Sequence, residues 1–432
     1  MKKIISNSPS FLIISITLIA LLVPQPFNDL NRGIIYGIIL VYGAIFCTYN
    51  IKRIFSNRSW LFWLGIAFYL ETTLAYCING NIMKVGFAHL QYLFIYLAAS
   101  ILNKDDDLTY EFNKLSRIFT VLGIGMALCS YLTMYLKLYY PDFIQTLPSE
   151  LARMINNSGT LIDNNTRLIG FAINSNLTGN FCALSAILSF YLLIKERSIK
   201  WKITSLIDIL LCLNIIFLRC ASRTAMMLFI AFPLFLLLIL LSITKNKKTR
   251  KIFKYAILIL TTVLLITLII FTCNKSLRTF FLDRIIRIDT LKSGSGRINL
   301  FTKSFAITEG HKLWGINKQV FIDAFGVTSP HNSYLELMVH AGLPAMLLFI
   351  AFYISTLVKS GFTLSKISRK DSNITFEVAF LFTYLLIITI HMILDNYMIA
   401  SYTTIGMFGH YALGTVIALD ENRKATENPQ SF

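Results

Sequence analysis

The chain has 432 residues, of which 55% are aliphatic, aromatic, Met or Cys and 14% are charged, with a formal net charge of +18. Average globular usage is about half apolar and about a quarter charged, so a mean hydropathy of +0.64 excludes both a soluble multidomain enzyme and a disordered chain. The cations sit in short clusters between apolar runs, as at Lys245, Lys247, Lys248, Arg250, Lys251 and Lys254. That is the pattern of cytoplasmic loops, and it argues against nucleic acid as a partner.

Twelve segments carry the roughly 20 mainly apolar residues needed to cross a bilayer: 9–26, 33–50, 60–77, 86–102, 117–138, 177–194, 203–219, 224–243, 255–273, 333–357, 374–394 and 398–418. The sequence thus predicts an all-α, polytopic integral membrane protein of about 12 transmembrane helices, forming one domain over residues 1–432. The first segment follows Met1-Lys2-Lys3 and lacks a small-x-small cleavage site, so it reads as a retained helix. With the amino terminus inside, inner segments hold 24 Lys and Arg against 16 outside, nine of the latter in one loop. This bias places both termini in the cytoplasm. Two outer segments, 139–176 and 274–332, are longer than simple turns, and function is expected there.

The second long loop sets nine Lys and Arg against four acids, a net +5 on the disfavoured side of the membrane. Such a charge attracts anionic headgroups or a phosphorylated substrate. At its end, Ser329-Pro330-His331-Asn332 reads as a helix start, with Ser329 as N-cap, Pro330 at the first helical position and His331 in the first turn. There the positive end of the helix dipole favours neutral imidazole, the form of a general base. His340, nine residues on, is too far away to act jointly with it, and His89, His391 and His410 read as packed polar residues. The short turn Leu218-Arg219-Cys220-Ala221-Ser222-Arg223-Thr224 puts two arginines beside hydroxyls, a pattern that either snorkels to the interface or grips a diphosphate. Arg167 precedes a further span. Glu71 and Asp208, inside spans, must face protein or a cavity, and neither has a partner identifiable from sequence. Seven scattered cysteines without a C-x-x-C pair read as packed thiols, and no ligand spacing suggests a metal.

His331-Asn332, followed after nine residues by Gly342-Leu-Pro-Ala345, resembles the H-N-x9-G-x-x-[GTY] signature of the bacterial O-antigen ligase and polymerase superfamily. Ser222-Arg223-Thr224, Gly296-Arg297, Trp314-Gly315 and the Arg167…Gly170…Asn174…Asn176 stretch also fall where that family's pattern places them. Ala345 departs, standing where Gly, Thr or Tyr is usual. The resemblance covers about residues 160 to 350. It implies an inverting, metal-independent glycosyltransferase, without cofactor, in the bacterial inner (cytoplasmic) membrane. The donor it implies is an undecaprenyl-diphosphate-linked oligosaccharide. By transfer, His331 is the base, Arg223 and Arg297 hold the diphosphate, Arg167 is a further contact, and Asn332 and Ser222 are supporting residues. A polymerase that extends O-antigen or capsule on a lipid-linked acceptor glycan is expected, with membrane lipid and a chain-length regulator as further partners. The alternatives are a ligase that passes glycan to lipid A-core and, more distantly, a transporter of lipid-linked oligosaccharide.

Overall fold

A computed structural model of the chain describes residues 29–56, 58–82, 86–102, 105–147, 152, 155, 175–220, 222–274, 297–327, 329–369, 374–395 and 403–427. Regular structure among them is helical, and no strand occurs among the described residues. In chain order the main helices are α1 (Asp29–Tyr49), α2 (Trp60–Ile78), α3 (Phe87–Ala99), α4 (Asp105–Tyr139), α5 (Ser175–Lys195) and α6 (Ile199–Asn214). There follow α7 (Arg223–Ile243), α8 (Lys247–Cys273), α9 (Arg297–Ile307), α10 (Lys318–Phe325), α11 (Ser333–Arg369), α12 (Thr375–Leu394) and α13 (Thr404–Glu427). Helix is what apolar sequence must form in lipid, because no water is present to satisfy backbone N–H and C=O groups.

Among the described residues, six helices are long and apolar enough to cross a membrane: α2, α4, α5, α7, α11 and α12. The protein is thus a multi-pass membrane protein of all-α type. A helix also underlies each of the other predicted segments from the second onward, while the first, 9–26, lies outside the described residues. Of the two long loops, 156–174 and 275–296 lie outside them as well. The described part of the second loop folds as α9 and α10.

The chain clusters into two compact units. One draws on residues 34–111 and 294–432, where α2 packs on α3 and α11, and α13 on α3, α11 and α12. Its core is aromatic: Phe62 stacks on Tyr96 at 5.8 Å and Phe68 on Phe352 at 6.3 Å between ring centroids. At one end the Arg58 guanidinium meets Glu421 at 2.6 Å, and the Ser59 backbone N–H and hydroxyl each donate to the same carboxylate at 2.7 Å.

The other unit lies within residues 112–293 and is built on α5 packed against α6 and α7. Here the structure supplies the partner that sequence could not find for Asp208. Ser185 and Ser189 donate to its carboxylate at 2.8 and 2.7 Å, and the Cys212 thiol lies 3.3 Å away. Gly123 makes the room, since a Cβ there would lie 2.3 Å from the Asp208 Oδ1. Glu71 shows the reverse, with both carboxylate oxygens shut off from solvent and without a hydrogen-bond partner.

Candidate functional site

The structure starts α11 later than the sequence predicts. Asn332, not Ser329, caps the helix, its Oδ1 accepting from the backbone N–H of Tyr334 and Leu335, both at 3.0 Å. His331 therefore stands outside the first turn, at φ 56, the only non-glycine residue with positive φ among the described residues. The two candidate caps compete, and asparagine wins because its amide serves both sides. While Oδ1 caps α11, Nδ2 donates to the Ile393 carbonyl of α12 at 3.1 Å. Ser329 keeps a lesser role, its hydroxyl accepting from the His331 N–H at 3.0 Å.

Asp395, just past the end of α12, is the residue that sequence reasoning missed. Its carboxylate Oδ1 lies 3.8 Å from the His331 Nδ1, and its side chain is 1% exposed against 43% for the histidine. Ser333 donates to the Asp395 carbonyl at 2.9 Å, which ties the two helix ends together. No spacing links positions 331 and 395. The available signal was an acid in a turn of a few residues between two apolar segments, where a charge needs a reason.

Below this cap α11 breaks. Gly342 adopts φ 89 and ψ 171, and Pro344 lacks the N–H that would bond the His340 carbonyl. Three backbone groups at the break find partners outside the helix. The Val339 carbonyl accepts from Ile316 N–H at 2.7 Å, and the Leu343 N–H donates to the Lys312 carbonyl at 2.7 Å. The His340 carbonyl accepts from the amides of Asn79 and Asn81 at 3.2 and 3.4 Å. A Cβ at Gly315 would lie 2.5 Å from the Val339 oxygen, and one at Gly342 2.1 Å from the Leu313 oxygen. The Trp314-Gly315 pair and Gly342, distant in sequence, thus form a single joint that fixes the first turns of α11, which begin just after His331.

Arg297 is the first described residue of α9, in the same unit as His331. Ser222 and Arg223 belong to the other unit, where Arg223 opens α7 and Ser222 occupies the N-cap position. Ser222 is fully buried, its hydroxyl 3.2 Å from that of Thr224. The start of α5 presses on this turn, since a Cβ at Gly179 would lie 2.9 Å from the Ser222 Cβ. Arg167 lies outside the described residues. His331, Asn332 and Asp395 are thus brought together in one unit, and Ser222, Arg223 and Thr224 in the other. Cys182, Cys212 and Cys220 are buried and not in disulfides.

Residues 207–350 match the family model described as O-antigen ligase. That match, across a third of the chain, supports the resemblance to the O-antigen ligase and polymerase superfamily. The matched O-antigen ligase segment contains Ser222-Arg223, Arg297, His331-Asn332 and both glycines of the joint, and ends before Asp395. A search of curated proteins returns no match. The O-antigen ligase match points to chemistry of the ligase or polymerase type, the transfer of glycan.

Proposed function

We propose that the protein is a polysaccharide polymerase, extending O-antigen or capsule at the outer face of the inner membrane. In this reading the donor glycan is carried on undecaprenyl diphosphate and the acceptor is a lipid-linked repeat unit. With Nδ1 turned toward Asp395, the His331 Nε2 is left for the acceptor hydroxyl. As that oxygen attacks the anomeric carbon, its proton passes to Nε2 and the bond to the diphosphate breaks, the leaving group keeping the electron pair. Attack from the face opposite the leaving group inverts the anomeric centre. Arg223 and Arg297, with Arg167, meet the charge that develops on the diphosphate. Asp395 is a positioning residue that holds the ring and steadies the imidazolium, as a buried carboxylate beside a catalytic histidine does.

The single observation that carries the reading is the strained, half-exposed histidine, itself within the O-antigen ligase match, backed by a buried carboxylate that lies beyond it. Purified protein supplied with lipid-linked repeat units should yield longer glycan, and unchanged glycan would count against it. In cells, loss of the gene should leave single-repeat surface product. Full-length chains retained on the lipid carrier would instead assign the ligase reaction, in which glycan passes to lipid A-core.

A further inference from the structure

Arg219 lies in the second unit, in the π-helical turn Ile215–Cys220 that ends the rod begun by α6. An extra residue per turn widens the helix at that point and redirects the side chains that follow, and such turns concentrate at functional sites. The guanidinium lies over the Tyr131 ring, Cζ 5.6 Å from its centroid, while the Tyr131 hydroxyl donates to Asn214 at 2.5 Å. Tyr131 therefore braces the arginine on one face and gives it no acceptor. The Arg219 Nε and Nη1 are shut off from solvent and have no hydrogen-bond partner. A side chain that had merely snorkelled to water would keep those nitrogens wet.

Guanidinium stays charged in proteins, so these donors call for an anionic acceptor. The neighbouring chain supplies none, for no acidic residue occurs between Asp208 and Asp283. Asp208 itself is already engaged by Ser185 and Ser189. A second guanidinium, Arg223, follows four residues later at the start of α7. The unpartnered Nε and Nη1 of Arg219 suit a ligand with several acceptor oxygens for planar donors.

We infer that Arg219 binds a phosphate oxyanion, the Tyr131 ring holding its guanidinium in place for that contact. The inference deepens the proposed function and rests on it, adding a cation to the diphosphate contacts named there. The phosphate comes either from the donor's diphosphate or from the headgroup of a bilayer phospholipid.

The test uses full-length protein with Arg219→Gln and, to keep the charge, Arg219→Lys. Inorganic pyrophosphate is the probe, read as a thermal shift in detergent that needs no turnover. Donor KM and pyrophosphate inhibition are then measured in phosphatidylcholine vesicles with and without phosphatidylglycerol. For a donor contact, Arg219→Gln loses the thermal shift and raises donor KM about tenfold, the size of one lost charged contact, with a smaller change in kcat and partial rescue by lysine. For a lipid contact, pyrophosphate behaves as in the unsubstituted protein, but the activity gained with phosphatidylglycerol disappears in Arg219→Gln. Either result supports a phosphate site. If Arg219→Gln matches the unsubstituted protein in thermal shift, donor KM and lipid dependence while His331→Ala abolishes elongation, the inference fails and the proposed function stands. If no glycan lengthens with any protein while pyrophosphate still shifts only chains carrying Arg219, the function fails and the phosphate site stands.

Discussion

His331 holds a left-handed backbone that costs an ordinary residue about 1–2 kcal/mol. Its neighbours keep it there, Ser329 by accepting its N–H and Asn332 by anchoring the helix that follows. Strain of this kind at a reactive side chain trades stability for position. His331→Gly should therefore abolish elongation yet unfold at or above the temperature of the unsubstituted protein, as followed by thermal unfolding in detergent. His331→Ala should lose a comparable share of activity, about 10²–10⁴-fold for a lost general base, without the gain in stability. Asn332→Ala should cost about 1 kcal/mol or more from the cap alone. Asn332→Asp, which keeps the cap acceptor and loses the bond to Ile393, should fall between. The same thermal assay checks both.

At the scale of elements, the joint between the Leu313–Ile316 segment and α11 depends on absent side chains. Gly342→Ala or Gly315→Ala meets both a positive φ and a backbone oxygen within 2.5 Å, and either should sharply lower stability and activity together. Gly125 in α4 has nothing within 4 Å of an added Cβ, so Gly125→Ala should stabilise by about 0.5–1 kcal/mol. The turn between α5 and α6 sets a pH dependence. Burial alone would raise the Glu196 carboxyl, but hydrogen bonds from the Arg117 guanidinium and from the Ser198 and Arg197 backbone outweigh it and hold the group below its ordinary value. A depressed carboxyl stabilises the fold above its unfolded value of about 4.3, and that contribution is lost as pH falls through the folded value. Glu196→Gln should flatten the acid-side fall in melting temperature below about pH 4.3 and leave the neutral range with only a uniform offset. Helix positions were legible in the sequence because lipid-length apolar runs admit little else. Which residue capped α11 was not, because Ser329 and Asn332 are both competent caps and only the α12 carbonyl at Ile393 decides between them. Asp395 and the serines on Asp208 were hidden for the same reason, since each pairing joins different helices and leaves no trace in local spacing.

Across the whole molecule, charge placement makes the prediction that composition could not. Reporter fusions after Lys251 and after Arg369 should be active only as cytoplasmic markers, and a fusion after Asp395 only as an external one. The opposite pattern would turn the histidine and its carboxylate toward the cytoplasm and count against the proposed reaction at the outer face. The joint at Gly342 also sets a ruler. About 15 Å of rigid rod separates the Asn332 cap from that vertex, and each residue added or removed between them turns the imidazole about 100° around the rod. The number of residues in this stretch, more than their identity, is what aims the imidazole.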